Sequence, residues 1–285
     1  MVQAPEGMCG YAIGDPGRAS AEVGAGPPAG PVGRPDIIAD AADVDGLAVR
    51  AASTRGVLHR RYGVPRQDSY SVSWQPDSSS LLVTVCDGVG SLAMSHEAAD
   101  WVALRLSDRV PRDESGMPDW STAFAAVSGE LRELGGSRDE MATTVVTACV
   151  TAITGGFRAE IAWVGDSAAY LLGPKGWEVV GGSVKTVDAD GGPLVSTTQA
   201  LPSSSIEVHT SVVEFGRDAA LFLMTDGVAD PLGGGTGEVG LTLASWWATP
   251  PDPFTFAAQA AFARRSFDDD RTVVGVWPSA STVAQ

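Results

Sequence analysis

Aspartates recur at the ends of apolar runs in this chain of 285 residues. Five of them share this setting: Asp68, Asp87, Asp166, Asp226 and Asp269. A single aspartate at a strand end is usually a turn residue, because the side chain is disfavoured within strands. Two near-identical Asp-Gly steps, at Asp87 and Asp226, each follow a long apolar run and indicate a chemical role instead.

Carboxylates beside buried strands are costly unless a cation pairs with them. Few basic residues are available here, since the chain has only two lysines and only Arg66 and Arg271 lie close to the aspartates in sequence. Oxygen ligands without histidine or cysteine select hard ions such as Mg²⁺ or Mn²⁺. A glycine after the aspartate also lets a backbone carbonyl approach the ion. These features predict a divalent metal site.

The apolar runs that position these aspartates are typical of strands. Predicted strands cover residues 47–52, 69–74, 81–86, 143–153, 161–164, 168–172, 177–180, 206–213, 220–225 and 272–277. Predicted helices cover residues 95–110, 120–134 and 253–265. Strands and helices come in blocks rather than in strict alternation, which favours an α+β protein with antiparallel sheets and helices on their outer faces.

Composition restricts the partners of the chain. The formal net charge of −16 would repel nucleic acid and anionic lipid headgroups. No apolar run reaches the roughly 18 residues of a spanning helix, and three widely spaced cysteines support neither a disulfide framework nor a zinc site. Because no signal peptide is visible, we expect a soluble cytoplasmic protein that binds neither nucleic acid nor membrane.

The N-terminal region differs from the rest in being rich in glycine, proline and alanine. Residues 1–35 contain eight glycines and six prolines, a density that opposes both helices and strands. We therefore predict a disordered tail over residues 1–45 and one folded domain over residues 46–280, because no linker divides the latter.

Six short motifs follow one another along residues 51–277. They are Gln67-Asp68, Asp87-Gly88-Val89-Gly90, Thr143-Thr144, Gly165-Asp166-Ser167, Thr225-Asp226-Gly227 and Asp269-Asp270-Arg271-Thr272. In this order they resemble the metal-dependent serine/threonine protein phosphatases of the protein phosphatase 2C (PPM-type) family, bacterial branch. The resemblance implies an α-β-β-α four-layer sandwich, in which two antiparallel sheets are flanked by helices and the metals lie at one end.

The resemblance also assigns metal ligands. Asp87 would bridge two metals, and the Gly88 carbonyl would bind one of them. Asp226 and Asp269 would complete one metal's shell. The implied reaction is hydrolysis of phosphoserine or phosphothreonine on proteins by a metal-bridged water that attacks phosphorus, which needs no protein nucleophile.

Two further aspartates have secondary roles in this scheme. Asp68 would act mainly through metal-bound waters of the same cluster. Asp166 would fit the site of a third, weaker metal found in bacterial members. The cofactors implied are thus two ions of Mg²⁺ or Mn²⁺, with room for a third.

The residue that contacts the substrate phosphate is left open between several candidates. The family usually has an arginine shortly before its Gln-Asp motif, whereas a bacterial branch has a histidine followed by Gly-x-Pro-x-Gln-Asp, as here from His59 to Asp68. His59 would replace that arginine or act as general acid to the leaving oxygen; alternatively, it is a polar side chain at a strand end. Arg60 and Arg61 are alternative phosphate ligands.

Three departures from the family pattern leave the predicted metal ligands in place. Ser91 and Ala168 replace a usual glycine and arginine, and the stretch between Asp166 and Asp226, where a substrate flap lies, is rich in glycine and serine.

We therefore predict an active, monomeric, bacterial signalling phosphatase whose partners are a phosphorylated protein and a cognate serine/threonine kinase. The alternatives are a catalytically weak or inactive module that binds a phosphoprotein, and a small-molecule phosphatase.

Overall fold

The structure is a computed structural model that describes residues 2–3, 11–18, 34–108, 110–114, 116–134, 140–182 and 199–279. Its strands are β1 (Val2–Gln3), β2 (Tyr11–Ala12), β3 (Ile37–Val44), β4 (Leu47–Thr54), β5 (Ser69–Gln75), β6 (Ser80–Gly88), β7 (Thr143–Ile153), β8 (Gly156–Val164), β9 (Ala168–Gly173), β10 (Gly176–Gly181), β11 (His209–Phe215), β12 (Ala220–Met224) and β13 (Arg271–Pro278). Its α-helices are α1 (Val57–Tyr62), α2 (Ser95–Leu106), α3 (Trp120–Glu133), α4 (Asp226–Leu232), α5 (Glu238–Trp246) and α6 (Pro253–Ala260). Within these described segments, no helix is both long enough and apolar enough to cross a membrane.

Two antiparallel sheets form the centre of the fold. One has the strand order β10-β9-β12-β13-β4-β3, and the other has the order β11-β8-β7-β6-β5. Strand β6 shows why the sheets stack: Val83 and Val85 pack between the two sheets, whereas Leu82 and Cys86 pack toward helices on the opposite face. Both faces of this strand are therefore buried, as its continuous apolar sequence predicts.

Helices cover the outer face of each sheet. Helices α2 and α3 bury apolar side chains such as Val102 and Phe124 against the five-stranded sheet. Helices α4, α5 and α6 do the same on the six-stranded sheet, with Leu243 and Phe256 in its core. The predicted α-β-β-α four-layer sandwich is confirmed.

The predicted boundary of the tail is wrong at its C-terminal end. Residues 37–44 form strand β3, which pairs with β4 along its whole length. Most side chains of this edge strand are exposed, and Asp40 and Asp43 divide its apolar residues into short stretches, so no long apolar run marks it in the sequence. The folded domain thus begins before residue 46, while residues 1, 4–10 and 19–33 of the predicted tail lie outside the described residues.

Helix prediction is correct for the long helices and incomplete for the short ones. The helix expected over residues 120–134 is confirmed, and those expected over 95–110 and 253–265 end earlier, at Leu106 and Ala260. Helices α1, α4 and α5 are not predicted, because they have only six to nine residues and show too few turns for an apolar period.

The start of α4 packs very closely against the chain that leads into β13. A Cβ atom on Gly227 would lie 1.8 Å from the backbone oxygen of Asp270. Arg271 Nε donates to the Gly227 carbonyl at 3.1 Å and so ties the two segments together. Only glycine permits this approach, which brings Asp226 close to Asp269.

We expect Gly227→Ala to lower the free energy of unfolding by about 1–3 kcal/mol or more, because the added methyl group meets backbone that is held by sheet pairing. Gly129→Ala is the matched control, since Gly129 lies within α3 with open space around it. That change should stabilise the protein by about 0.5–1 kcal/mol. Chemical denaturation measures both, and equal effects would contradict the packing described.

Candidate metal centre

Three carboxylates from separate elements converge at one end of the sandwich. Asp87 is the next-to-last residue of β6, Asp166 follows β8, and Asp226 begins α4 just after β12. Their carboxylate oxygens lie within 4.8 Å of one another, and each side chain is half-buried. Because β6 and β8 belong to one sheet and β12 to the other, the cluster forms only when the two sheets stack.

Negative charge is crowded around Asp87. Its removal from water raises its pKa well above the ordinary value, and neighbouring carboxylates raise it further. These neighbours are, in order of effect, Asp226, Asp68, Asp269 and Asp166. The four other aspartates that the sequence singles out are thus near enough to Asp87 to raise its pKa. A divalent cation placed among them would convert the repulsion into attraction.

Asp68 lies behind the cluster and is held by hydrogen bonds. Its side chain is buried and accepts from Thr225 Oγ1 at 2.8 Å. Burial, followed by the charges of Asp270 and Asp269, raises its pKa well above the usual range. Its carboxylate thus lies deeper than those of the half-buried cluster.

Two arginines hold the backbone at this point. Arg34 Nη2 donates to the Asp68 carbonyl at 2.8 Å, and Arg66 Nη1 also donates to that carbonyl. Arg34 further pairs with Asp100 on α2. Arg34 is not singled out by any sequence motif, since it lies within the predicted tail.

Gly88 is required by close packing at the end of β6. A Cβ atom there would lie 2.7 Å from the Gln67 carbonyl oxygen and 2.9 Å from that of Ser95. The segment before β5, the end of β6 and the start of α2 are thus in near contact. This packing explains the Asp87-Gly88 step independently of any role of the Gly88 carbonyl as a ligand.

His59 lies on α1 and belongs to a second group of ligating side chains, with Asp269 and Asp270. Its Nδ1 atom is 2.8 Å from Asp270 Oδ1, and its Nε2 atom is 3.9 Å from Asp269 Oδ1. Burial lowers the pKa of His59, but the surrounding carboxylates, led by that of Asp270, raise it overall. The raised pKa favours a protonated, positively charged imidazole beside the cluster.

The remaining predicted phosphate ligands lie near the end of α1. Arg60 is half-buried, and Arg61 is exposed. Part of the predicted substrate flap, residues 183–198, lies outside the described residues. Asp270 lies beside His59 and Asp269, although the sequence analysis gave it no role.

The donor set fits hard divalent cations. All three members of the tightest cluster are carboxylates, and Mg²⁺ and Mn²⁺ prefer such oxygen ligands. The raised pKa of Asp87 shows that its charge is poorly compensated by the protein alone. The cluster that could hold a metal ion contains Asp87, Asp166 and Asp226, and Asp269 belongs to the second group, with His59 and Asp270.

Comparison with protein families agrees with this geometry. The family model described as protein phosphatase 2C matches residues 55–251, more than half of the chain. The chain belongs to the protein phosphatase 2C family. Among curated protein sequences, no match to the chain is found.

Solved structures of bacterial proteins share the fold. The S. agalactiae serine/threonine phosphatase has a TM-score of 0.62 at 18% identity, over 81% of this chain and 99% of that chain. The Mycobacterium tuberculosis serine/threonine phosphatase PstP/Ppp has a TM-score of 0.56 at 18% identity, over 82% and 99%. RsbX in complex with magnesium has a TM-score of 0.52 at 12% identity, over 84% and 98%. At such identities the likeness establishes the fold.

The raised pKa values of Asp68 and Asp87 predict how the stability of metal-free protein depends on pH. A carboxyl whose pKa is higher in the folded state keeps its proton longer there than in the unfolded chain. The free energy of unfolding should therefore fall as pH rises from about 4, the unfolded value, through the raised folded values. Thermal unfolding with a chelator between pH 5 and pH 8 measures this slope.

Bound metal should counteract the fall in the free energy of unfolding at higher pH. Mn²⁺ at about a hundred times its Kd adds about 2.7 kcal/mol, or about 5–10 °C in Tm for a domain of this size. Asp87→Asn should flatten the pH slope and weaken the metal response, whereas exposed Asp77→Asn should leave both unchanged. A metal response retained in full by Asp87→Asn would mean that the ion binds elsewhere.

Proposed function

We propose that this protein is a metal-dependent phosphatase that hydrolyses phosphoserine and phosphothreonine on proteins. The observation that carries the proposal is the cluster of Asp87, Asp166 and Asp226 in a chain of the protein phosphatase 2C family. These carboxylates repel one another, and a bound cation would relieve that repulsion.

The metal ions would be Mg²⁺ or Mn²⁺, two in number with a weaker third. The proposed ligands are Asp87, the Gly88 carbonyl, Asp226 and Asp269, with Asp68 through water and Asp166 for the third ion. Two such ions would supply an activated water nucleophile and positive charge for the phosphoryl oxygens. The magnesium found with RsbX, a protein of the same fold, supports this choice of ion.

His59 would act on the substrate itself. The raised pKa keeps the imidazole protonated over more of the neutral range, so it can donate to a phosphate oxygen or give its proton to the leaving alkoxide. Arg60 and Arg61, beside it on α1, would be further phosphate ligands. Hydrolysis needs a proton at the leaving oxygen of serine or threonine, because an alkoxide is a poor leaving group.

The setting we propose is a bacterial cytoplasm, where a monomer acts on a phosphorylated protein and opposes a cognate serine/threonine kinase. The catalytic domain would span residues 46–280 together with strand β3. The net charge of −16 supports a protein substrate rather than nucleic acid or a membrane surface.

Activity should depend on metal and on the clustered carboxylates. We expect turnover of p-nitrophenyl phosphate and of a phosphothreonine peptide with Mn²⁺, and none with chelator. Asp87→Asn and Asp226→Asn should each lower kcat/KM at least about a hundredfold, since each removes a charge that would bind the ion. Asp77→Asn is the matched surface control. If neither substrate shows metal-dependent turnover, the alternative function is favoured, in which an inactive module binds a phosphoprotein.

Substrates with different leaving groups can distinguish the two roles considered for His59, general acid and phosphate ligand. p-Nitrophenolate leaves without protonation, whereas the serine oxygen requires a proton. We therefore expect His59→Ala to lower kcat on a phosphoserine peptide at least about tenfold more than on p-nitrophenyl phosphate, with loss of the basic limb of the pH profile. A raised KM on both substrates at unchanged kcat would instead make His59 a phosphate ligand.

A further inference from the structure

Helix α1 has few apolar contacts to hold it in place. It has six residues, of which only His59 is buried, while Leu58 and Tyr62 are exposed. A helix of this length is unstable by itself in water, so its orientation must come from polar contacts with the rest of the fold. That orientation matters because α1 contains His59, Arg60 and Arg61, the residues proposed to contact the substrate phosphate.

Arg55, the residue that follows β4, binds the C-terminal end of α1. Its side chain is 0% exposed. The Nε atom donates to the Val64 carbonyl at 2.8 Å, and the Nη2 atom donates to the His59 carbonyl at 3.1 Å. Carbonyl groups at the C-terminus of a helix lack intrahelical donors. Arg55 therefore supplies donors that α1 itself lacks.

Asp36, the residue before β3, holds the same guanidinium group from another side. Its Oδ1 and Oδ2 atoms accept from Arg55 Nη1 at 3.1 and 3.4 Å, and its carbonyl accepts from the Arg55 backbone N–H at 2.8 Å. The Asp36 side chain is 34% exposed, so a carboxylate that reaches solvent compensates a buried cation. Asp36 precedes residues 55–251, which the family model matches, so family membership does not account for this contact.

We propose that Arg55 is a positioning residue, held by Asp36, that fixes α1 so that its histidine and arginines can contact the substrate phosphate. This inference rests on the proposed function for its effect on phosphate binding, but not for its effect on α1. Three nitrogens of one planar group bind three separate acceptors, so the role depends on the shape of the guanidinium as well as on its charge. Arg55 acts through α1 and does not itself contact the substrate.

The chain offers a matched pair of arginines for the test. Arg55→Lys keeps the charge but replaces the three nitrogens with one, which cannot reproduce the planar arrangement of donors. Arg50→Lys is the control. Arg50 lies on β4, donates to the Pro251 carbonyl at 2.7 Å and is 3.9 Å from Asp43 on β3. Both changes remove a guanidinium that joins the β3–β4 pair to a backbone carbonyl, but only Arg55 reaches α1.

Amide hydrogen exchange tests the effect on α1 without any turnover. In the full-length protein with Mg²⁺, the N–H groups of Arg60 and Val64 are the probes, since they donate to the carbonyls of Gly56 and His59. Arg55→Lys should make both exchange at least about tenfold faster, because the loss of a hydrogen bond to a charged group has an effect of this size. Arg50→Lys should leave both rates unchanged. Unchanged rates in Arg55→Lys, or equal changes in the two variants, would overturn the proposal.

Binding of inorganic phosphate tests the consequence for the site. With Mn²⁺ present, Arg55→Lys should raise the Kd of inorganic phosphate about tenfold, measured by calorimetry, and should leave the Kd of Mn²⁺ unchanged. It should add little in a background that already has His59→Ala, Arg60→Ala and Arg61→Ala. An equal loss of phosphate and Mn²⁺ affinity would show a general distortion of the site and would overturn the positioning role.

A second variant tests the same link from its exposed end. If Arg55→Lys does not fold, Asp36→Asn keeps the size of the side chain and should change the Val64 exchange rate and the phosphate Kd in the same directions. Asp43→Asn is its control, and equal behaviour of the two would contradict the proposal. If the unmodified protein neither binds phosphate nor shows turnover, the proposed function fails, and the exchange rates still decide whether Arg55 fixes α1.

Discussion

Repulsion between carboxylates crowded at the ends of buried strands is the constraint on which the rest of this structure depends. Asp87 has four other acidic side chains acting on it, and its position at the end of β6 keeps it partly out of water. A protein can tolerate such a group only by hydrogen bonds, by protonation or by a cation. The surrounding structure uses hydrogen bonds for Asp68 and Asp270, whereas Asp87, Asp166 and Asp226 form a cluster that could hold a metal ion.

The division between these two kinds of aspartate follows the depth of burial. Asp68 and Asp270 are buried and are held by a hydroxyl group and by backbone N–H groups. Asp87, Asp166 and Asp226 are half-buried and close together. Asp68 and Asp270 connect segments that belong to both sheets. These two buried aspartates therefore help to hold the geometry of the cluster of Asp87, Asp166 and Asp226.

Much of the fold follows from patterns that a single sequence displays. The runs that form β6, β7 and β12 are continuous and apolar because both faces of these strands are covered. Strand β3 escapes prediction because Asp40 and Asp43 interrupt its apolar residues, while pairing with β4 along its whole length forms the strand. Helix α4 escapes it because seven residues that include Pro231 resemble a turn until the six-stranded sheet packs against them.

The sequence by itself determined that aspartates lie at the ends of strands and follow one another in an order typical of one family. It could do so because the apolar runs and the motifs are local features of the chain. Only the tertiary structure decided which aspartates meet. Asp269 and Asp270 are chemically identical neighbours, yet the side chain of Asp269 is 51% exposed and that of Asp270 is 2% exposed. One therefore lies beside the cluster, and the other reaches His59, Gly56 and Gln67, residues more than two hundred positions away that only chain folding brings near.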